Sequence, residues 1–399
     1  MKIYYYILFS LLSVVTLQAQ NTIINEANAL IADQKYATAY EYLKDRDPND
    51  MDPDVAISKS NLLLNYYIKT RQFQEFGLKD LAPNQDLHQL RENNATVRMF
   101  VYKPDSILNK LIRQYPTNYK LRNALGNFYY EVHLKYPEDW LLPDSVVVLN
   151  MKNNYEEANN NEVFDYWSLF GIGYAYLLED EYEKAIPYLK KSTELNSSYS
   201  LSHYNLAFAY SNTDQPHECL ASAQKAFELQ VMPEYKAEAA RLIAMTYEDL
   251  KEDKKALEYY RIANQTLPND YNTLSLLLAL EIKLNDGQYK KHANQLFYLD
   301  PDNPVIFQDL LKMYSENEKE TEFIEMMEDL KPLFRQNIPV MANILFHQAI
   351  AQYETEEWVS AKINFERARS LFRNLYSSGH SVFKVIDSYT NVIKKKKSS

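Results

Sequence analysis

Apolar side chains recur along this chain at helical spacing, and the recurrence itself repeats. Ala256, Tyr260 and Ala263 stand at i, i+4 and i+7, one stripe on the face of a helix. Such stripes come in pairs, and the pairs restate themselves at a step of 34 residues. Ile172, Gly173, Tyr176, Ala185, Ile186, Ser192 and Leu195 of residues 166–199 fall on Leu206, Ala207, Tyr210, Cys219, Leu220, Ala226 and Leu229 of residues 200–233. Small lies on small and large on large. A further copy, 237–270, carries Ile243, Ala244, Tyr247, Ala256, Tyr260, Ala263 and Pro268. Small residues on facing stripes let two helix axes approach closely, and the proline ends the second helix because it has no N–H to continue it. The pattern predicts helix–turn–helix units, each packed on its neighbours.

The 34-residue step, with its small, aromatic and proline positions, resembles the tetratricopeptide repeat (TPR). That resemblance implies an all-α fold, a right-handed TPR superhelix built as an α-solenoid of helix-turn-helix repeats. Three clear units occupy 166–270, and worn units flank them. Residues 271–375 read as degenerate repeats: Leu310, Leu311, Tyr314, Phe323, Ile324, Met327 and Leu330 mark one, and Ala349, Trp358, Ala361, Phe365, Ala368 and Leu371 another. Residues 20–132 read as degenerate N-terminal repeat-like helices, with Tyr36, Ala39, Tyr40 and Leu43 in a first and Tyr66, Tyr67, Phe73 and Phe76 in a second. Over 133–165 Pro137, Trp140 and Pro143 interrupt the pattern, which predicts an irregular insertion holding a helix near 144–158. Val382, Val385, Ile386, Tyr389 and Ile393 predict a C-terminal capping helix within 376–393, followed by a solvated basic tail at 394–399.

Residues 1–19 stand apart from this pattern. Lys2 precedes an apolar run from Ile7 to Leu17, and Ala19 supplies a small residue for cleavage. The run is short for a bilayer span, so it reads as a signal peptide and predicts an exported protein, periplasmic or secreted. Position 20 is Gln and not Cys, which removes a lipoprotein anchor. The net charge is −11, which argues against nucleic acid as a partner and leaves membrane association peripheral at most. Cys219 is the only cysteine, so no intrachain disulfide staples the stack; its place matches Ala185 of the preceding unit, that of a small core residue.

Chemistry is sparse. The seven histidines are scattered, with no HExxH and no metal-ligand pair at helical spacing. Gly171 and Gly173 form no phosphate-binding fingerprint, no Ser lies in a G-x-S-x-G elbow, and no cofactor or metal is expected. The reading is therefore non-enzymatic. What the resemblance implies is a protein or peptide partner lying along the first helices, on Trp167, Phe170, Tyr174, Tyr204, Asn205, Phe208, Arg241 and Met245. Aromatic side chains suit that role because they bury large area at small entropic cost. The places of the family's carboxylate clamp hold Phe170, Tyr174, Asn205, Glu238 and Leu242; only Asn205 agrees, so a tail clamp is not expected. The leading expectation is an interaction scaffold at the bacterial cell envelope, binding an apolar peptide or helix segment. Two alternatives stay open: a glycan- or solute-binding protein using Tyr136 and Trp140, and a self-assembling structural protein.

Overall fold

Helix starts are written into the chain as caps. Asp165 accepts the Ser168 N–H at 2.7 Å while Ser168 Oγ accepts the Asp165 N–H at 3.0 Å, a capping box that satisfies two otherwise orphaned donors. Asp270, Asn303 and Asn337 cap later helices by accepting the N–H of Thr273, Val305 and Val340. Pro304 and Pro339 occupy first-turn positions where no N–H is needed.

The computed structural model describes residues 22–93 and 96–398, which form twenty helices and one small sheet. The expected signal at 1–19 lies outside the described residues. The chain packs as two compact units divided at Ser222/Ala223. The first holds α1 (22–32), α2 (Tyr36–Arg46), α3 (Pro53–Tyr66), β1 (Lys69–Arg71), β2 (Glu75–Leu78), α4 (Leu87–Glu92), β3 (Arg98–Val101) and α5 (Pro104–Gln114). It continues with α6 (Lys120–Lys135), α7 (Asp144–Asn159), α8 (Tyr166–Leu178), α9 (Tyr182–Leu195) and α10 (Ser200–Ser211), and α11 (Pro216–Leu229) contains the division. The second holds α12 (Pro233–Asp249), α13 (Asp253–Thr266), α14 (Tyr271–Lys283), α15 (Tyr289–Leu299) and α16 (Pro304–Ser315). It ends with α17 (Glu320–Leu330), α18 (Ile338–Glu354), α19 (Trp358–Phe372) and α20 (Ser381–Ser398). Successive helices pack on one another, α6 to α10 in the first unit and α12 to α20 in the second, as an α-solenoid.

The turns inside seven of the helix pairs follow one design. A residue with left-handed backbone ends the first helix: Gln34, Asp180, Asp214, Lys251, Asn285, Glu318 and Glu356, with φ between 53° and 63°. The next N–H then reaches back five residues, closing a six-residue loop, as from Glu181 to Tyr176 O (2.9 Å), Glu252 to Tyr247 O (2.8 Å) and Lys319 to Tyr314 O (3.0 Å). This closure satisfies carbonyls the helix end leaves open, and it normally recruits glycine. Here charged or amide residues carry the strain.

Glycine is used instead for helix contact. Tyr155 of α7 is fully buried, its ring lying between Gly126 of α6 and Gly171 of α8. A Cβ on either glycine would come within 2.4 Å or 2.5 Å of that ring. Its hydroxyl donates to Asn127 Oδ1 at 2.8 Å. Residues 133–165, expected as an irregular insertion, are therefore mostly the second helix of an α6/α7 pair, with only a lengthened turn around Pro137 and Pro143. The misleading signal was proline density in that turn.

A second difference lies in 20–132. Tyr66, Tyr67, Phe73 and Phe76, expected on repeat helices, straddle the end of α3 and a three-stranded antiparallel sheet in the order β1-β2-β3. Arg71 pairs with Glu75 and Phe76 with Phe100, and the connection places Gln72 and Phe73 at φ 45° and 47°. The three-residue step from Phe73 to Phe76 mimics helical spacing. Both rings nevertheless reach the same core, where they meet edge-on at 5.9 Å. At the other end α20 lies on α19, with Tyr389 stacked on Phe365 at 5.0 Å. The helix starts at Ser381 and continues through the expected basic tail, where Lys396 Nζ sits 4.1 Å from the Trp358 ring centre.

Gly171→Ala is expected to cost about 1–3 kcal/mol in urea unfolding because Tyr155 has nowhere to move, whereas Gly287→Ala, where an added Cβ meets nothing within 4 Å, serves as the near-neutral control. Lys251→Gly is expected to raise stability by roughly 0.5–1 kcal/mol in the same assay, since glycine releases the left-handed strain and gives back part of the gain as chain entropy.

Candidate partner-binding site

The predicted aromatic residues of α8 do converge. Trp167, Phe170 and Tyr174 stand at i, i+3 and i+7, and Phe170 stacks on Tyr174 at 6.0 Å with the rings 13° apart. Two residues missing from the sequence reading complete the cluster. Tyr130 of α6 meets the Trp167 ring edge-on at 5.0 Å, and Tyr199 meets Phe170 edge-on at 5.2 Å. Phe170 is buried by this packing, while Trp167 and Tyr174 remain half-buried. Most of the aromatic surface is thus spent inside the first unit.

Behind Tyr174 runs a short polar chain. His133 Nδ1 lies 2.8 Å from Asp144 Oδ1, and its Nε2 lies 3.0 Å from Tyr174 Oη. The carboxylate only accepts, so Nδ1–H donates to it and the tyrosine hydroxyl donates to Nε2. Burial, with the Asp144 charge, pushes the Tyr174 phenol above its ordinary value. The hydroxyl therefore keeps its proton, and the array fixes a ring rather than activating a nucleophile.

Further along, Tyr204 and Asn205 are half-buried, and Phe208 is 38% exposed with its ring edge-on to Tyr182 at 6.0 Å. Arg241 and Met245 belong to α12 in the second unit. Arg241 is ion-paired with Glu238, three residues before it, and Met245 is 41% exposed. The loop candidates are tied down: Tyr136 packs edge-on to Phe73 at 5.3 Å, and Trp140 on Phe128 at 5.8 Å. Both rings are half-buried.

The second unit holds a recess that the sequence reading missed. First helices α16 and α18 form its walls, and the turn into α20 closes one side. Leu311, Phe346, Ile350, Phe372, Tyr376 and Val385 enclose a cleft of about 650 Å³. His347 lines its floor and is only 2% exposed. Its ring stacks on Phe307 at 5.3 Å, and its Nδ1–H donates to Asn343 O at 2.9 Å. Asn343 in turn donates through Nδ2 to Pro339 O at 3.1 Å. His347 thereby spends its one N–H donor on its own helix, while Asn343 keeps a second amide hydrogen.

Residues 168–199 match the family model of the tetratricopeptide repeat. The match coincides with the α8/α9 pair. No curated protein matches the chain. Among solved structures it is similar to YrrB, described as a tetratricopeptide protein with an unusual peptide-binding site, at 17% identity; 47% of this chain and 95% of that chain are covered, with a TM-score of 0.36. Similarity extends to pilF of Pseudomonas aeruginosa at 13% identity, covering 55% of this chain and 96% of that chain with a TM-score of 0.41. A tetratricopeptide repeat protein from Parabacteroides merdae is 16% identical, with 67% of this chain and 99% of that chain covered and a TM-score of 0.39.

Within the tetratricopeptide frame the missed cleft had one sequence signal. Ile338–Glu354 is apolar around most of its circumference, with Ile344, Leu345, Phe346, Ala349 and Ile350 covering two faces. A helix of that kind is covered on both sides or leaves an apolar face open. Which of the two applies depends on where α20 comes to rest.

Burial holds the His347 imidazole well below its ordinary value of 6.5, at about 4, although the Asn343 carbonyl pulls it upward. Glu354, Lys312, Glu316 and His380 line the same cleft. A depressed histidine contributes stability that is complete above pH 6.5 and is lost as pH falls toward 4. The stability gap between the natural chain and His347→Phe should therefore shrink by about 3 kcal/mol from pH 7 to pH 4 in parallel urea titrations; a pH-independent gap would contradict a neutral buried ring.

Proposed function

We propose that the chain is a non-enzymatic interaction scaffold of the bacterial cell envelope, holding an apolar peptide or helix segment of another protein against its first helices. The observation that carries this reading is the cleft on α16 and α18. It is a concave, largely apolar recess on first-helix faces, with a few buried polar groups at its floor. Its size falls within the range of about 300–1,000 Å³ typical of ligand sites. Phe208 in the first unit and Met245 in the second add exposed apolar side chains on other first helices. The match to the tetratricopeptide model supports the same class of activity, since such repeats present extended binding surfaces. The signal-like pattern at 1–19 supports export, and the envelope is the compartment it implies.

A photo-crosslinking residue at Val385, which is 40% exposed at the cleft mouth, should trap a polypeptide in envelope preparations, and Ile350→Arg should abolish the adduct while the helical content stays unchanged. Absence of any polypeptide adduct from a folded protein would refute the scaffold reading. Export is checked separately by N-terminal sequencing of the envelope-associated protein, which should begin at Gln20; a cytosolic protein retaining Met1 would overturn the location.

A further inference from the structure

The floor of the cleft carries more information than its shape. Of the polar residues that line it, only His347 and Asn343 are buried, and His347 is almost wholly so. Its Nδ1 faces a backbone carbonyl, which can only accept, so Nδ1 bears the proton and Nε2 presents a lone pair. Among the described residues no hydrogen bond reaches Nε2. Asn343 donates one of its two Nδ2 hydrogens to Pro339 O. An occupant that covers His347 Nε2 without supplying a donor leaves it desolvated and unpaired. At the floor an ammonium group would meet only neutral acceptors, but the carboxylates of Glu316 and Glu354 also line the cleft, so a lysine side chain is the competing occupant that the test separates. The walls are aromatic as well: Phe346, Phe372 and Tyr376, the last stacked on His380 at 4.0 Å. Flat rings favour a flat occupant.

We propose that the cleft seats a tyrosine or tryptophan side chain of the partner's apolar segment, which donates its O–H or N–H to His347 Nε2. This rests on the peptide-binding reading above and specifies its chemistry. The ring packs among Phe346, Phe372 and Tyr376, and the single donor meets the single buried imidazole acceptor. Phenylalanine fits the walls but leaves the floor unpaired, so the cleft distinguishes it from tyrosine or tryptophan by one hydrogen-bond donor.

The test is calorimetric titration of the full chain with acetyl-Leu-X-Leu-amide peptides, X being tyrosine, tryptophan, phenylalanine, O-methyltyrosine or lysine. Tyrosine and tryptophan peptides should bind about tenfold more tightly than the phenylalanine and O-methyltyrosine peptides. His347→Phe should erase that advantage while keeping the phenylalanine affinity. Because the tyrosine and O-methyltyrosine pair differs only in the donor, the comparison stands on the natural chain even where the variant fails to fold. Equal affinity for tyrosine, phenylalanine and O-methyltyrosine, or a preference for lysine, overturns the hydrogen-bond assignment; if Ile350→Arg still weakens all the peptides, the groove reading survives that result. No binding by any peptide, or binding indifferent to Ile350→Arg, removes the cleft as the seat and takes both with it.

Discussion

Everything in the first unit depends on how closely neighbouring helices approach. The contact is set where side chains are missing: Gly126 and Gly171 leave a slot the thickness of a ring, and Tyr155 fills it completely. Gly173 does the same for Leu189, which a Cβ there would meet at 2.5 Å. Interiors are packed to near-crystal density, so a slot of this kind has no slack. The approach of α6, α7 and α8 then decides which aromatic faces meet. Tyr130, Trp167, Phe170 and Tyr174 come within stacking distance because the helices carrying them cannot stand further apart.

That packing has a functional consequence. Aromatic side chains on first helices can serve either the core or a partner, and in the first unit the core takes most of them. Phe170 is buried, and Tyr174 is held from behind by His133 and Asp144. In the second unit the balance differs. Glu281, fully buried, is satisfied by Arg261 and His292, and Phe297 of α15 packs edge-on against Phe307 and Phe334. Further along, α18 carries apolar residues on two faces, of which α19 and α17 cover one. The other opens beside α16, where Phe346, Ile350 and the His347 floor remain accessible to a visitor.

The left-handed turns show how a stack tolerates local strain. Seven turns of the same form place Gln, Asp, Lys, Asn or Glu where glycine would sit without cost. Each is compensated by the six-residue closure and by burial of the helices on either side. Strain of about 1–2 kcal/mol per turn is small against the apolar surface that each pair buries.

The sequence by itself determined the repeat, because packing of one helix pair on the next imposes a small-and-large pattern that survives in Gly173, Ala185, Ala207, Ala256 and Ala263. It also located the helix near 144–158 and the capping helix within 376–393, since periodicity is a local property. Proximity in three dimensions is not local, and three features followed from it alone. Phe76 joined a sheet, with Phe73 in the turn before it, because Phe100, further along the chain, supplied the strand residue opposite Phe76. Tyr130 joined the aromatic cluster because the glycine slots around Tyr155 set α6 close to α8, and Tyr199 joined it from the turn that precedes α10. The cleft exists because α20 settles on α19 and leaves the second apolar face of α18 uncovered, an outcome of competing burial that no single helix encodes.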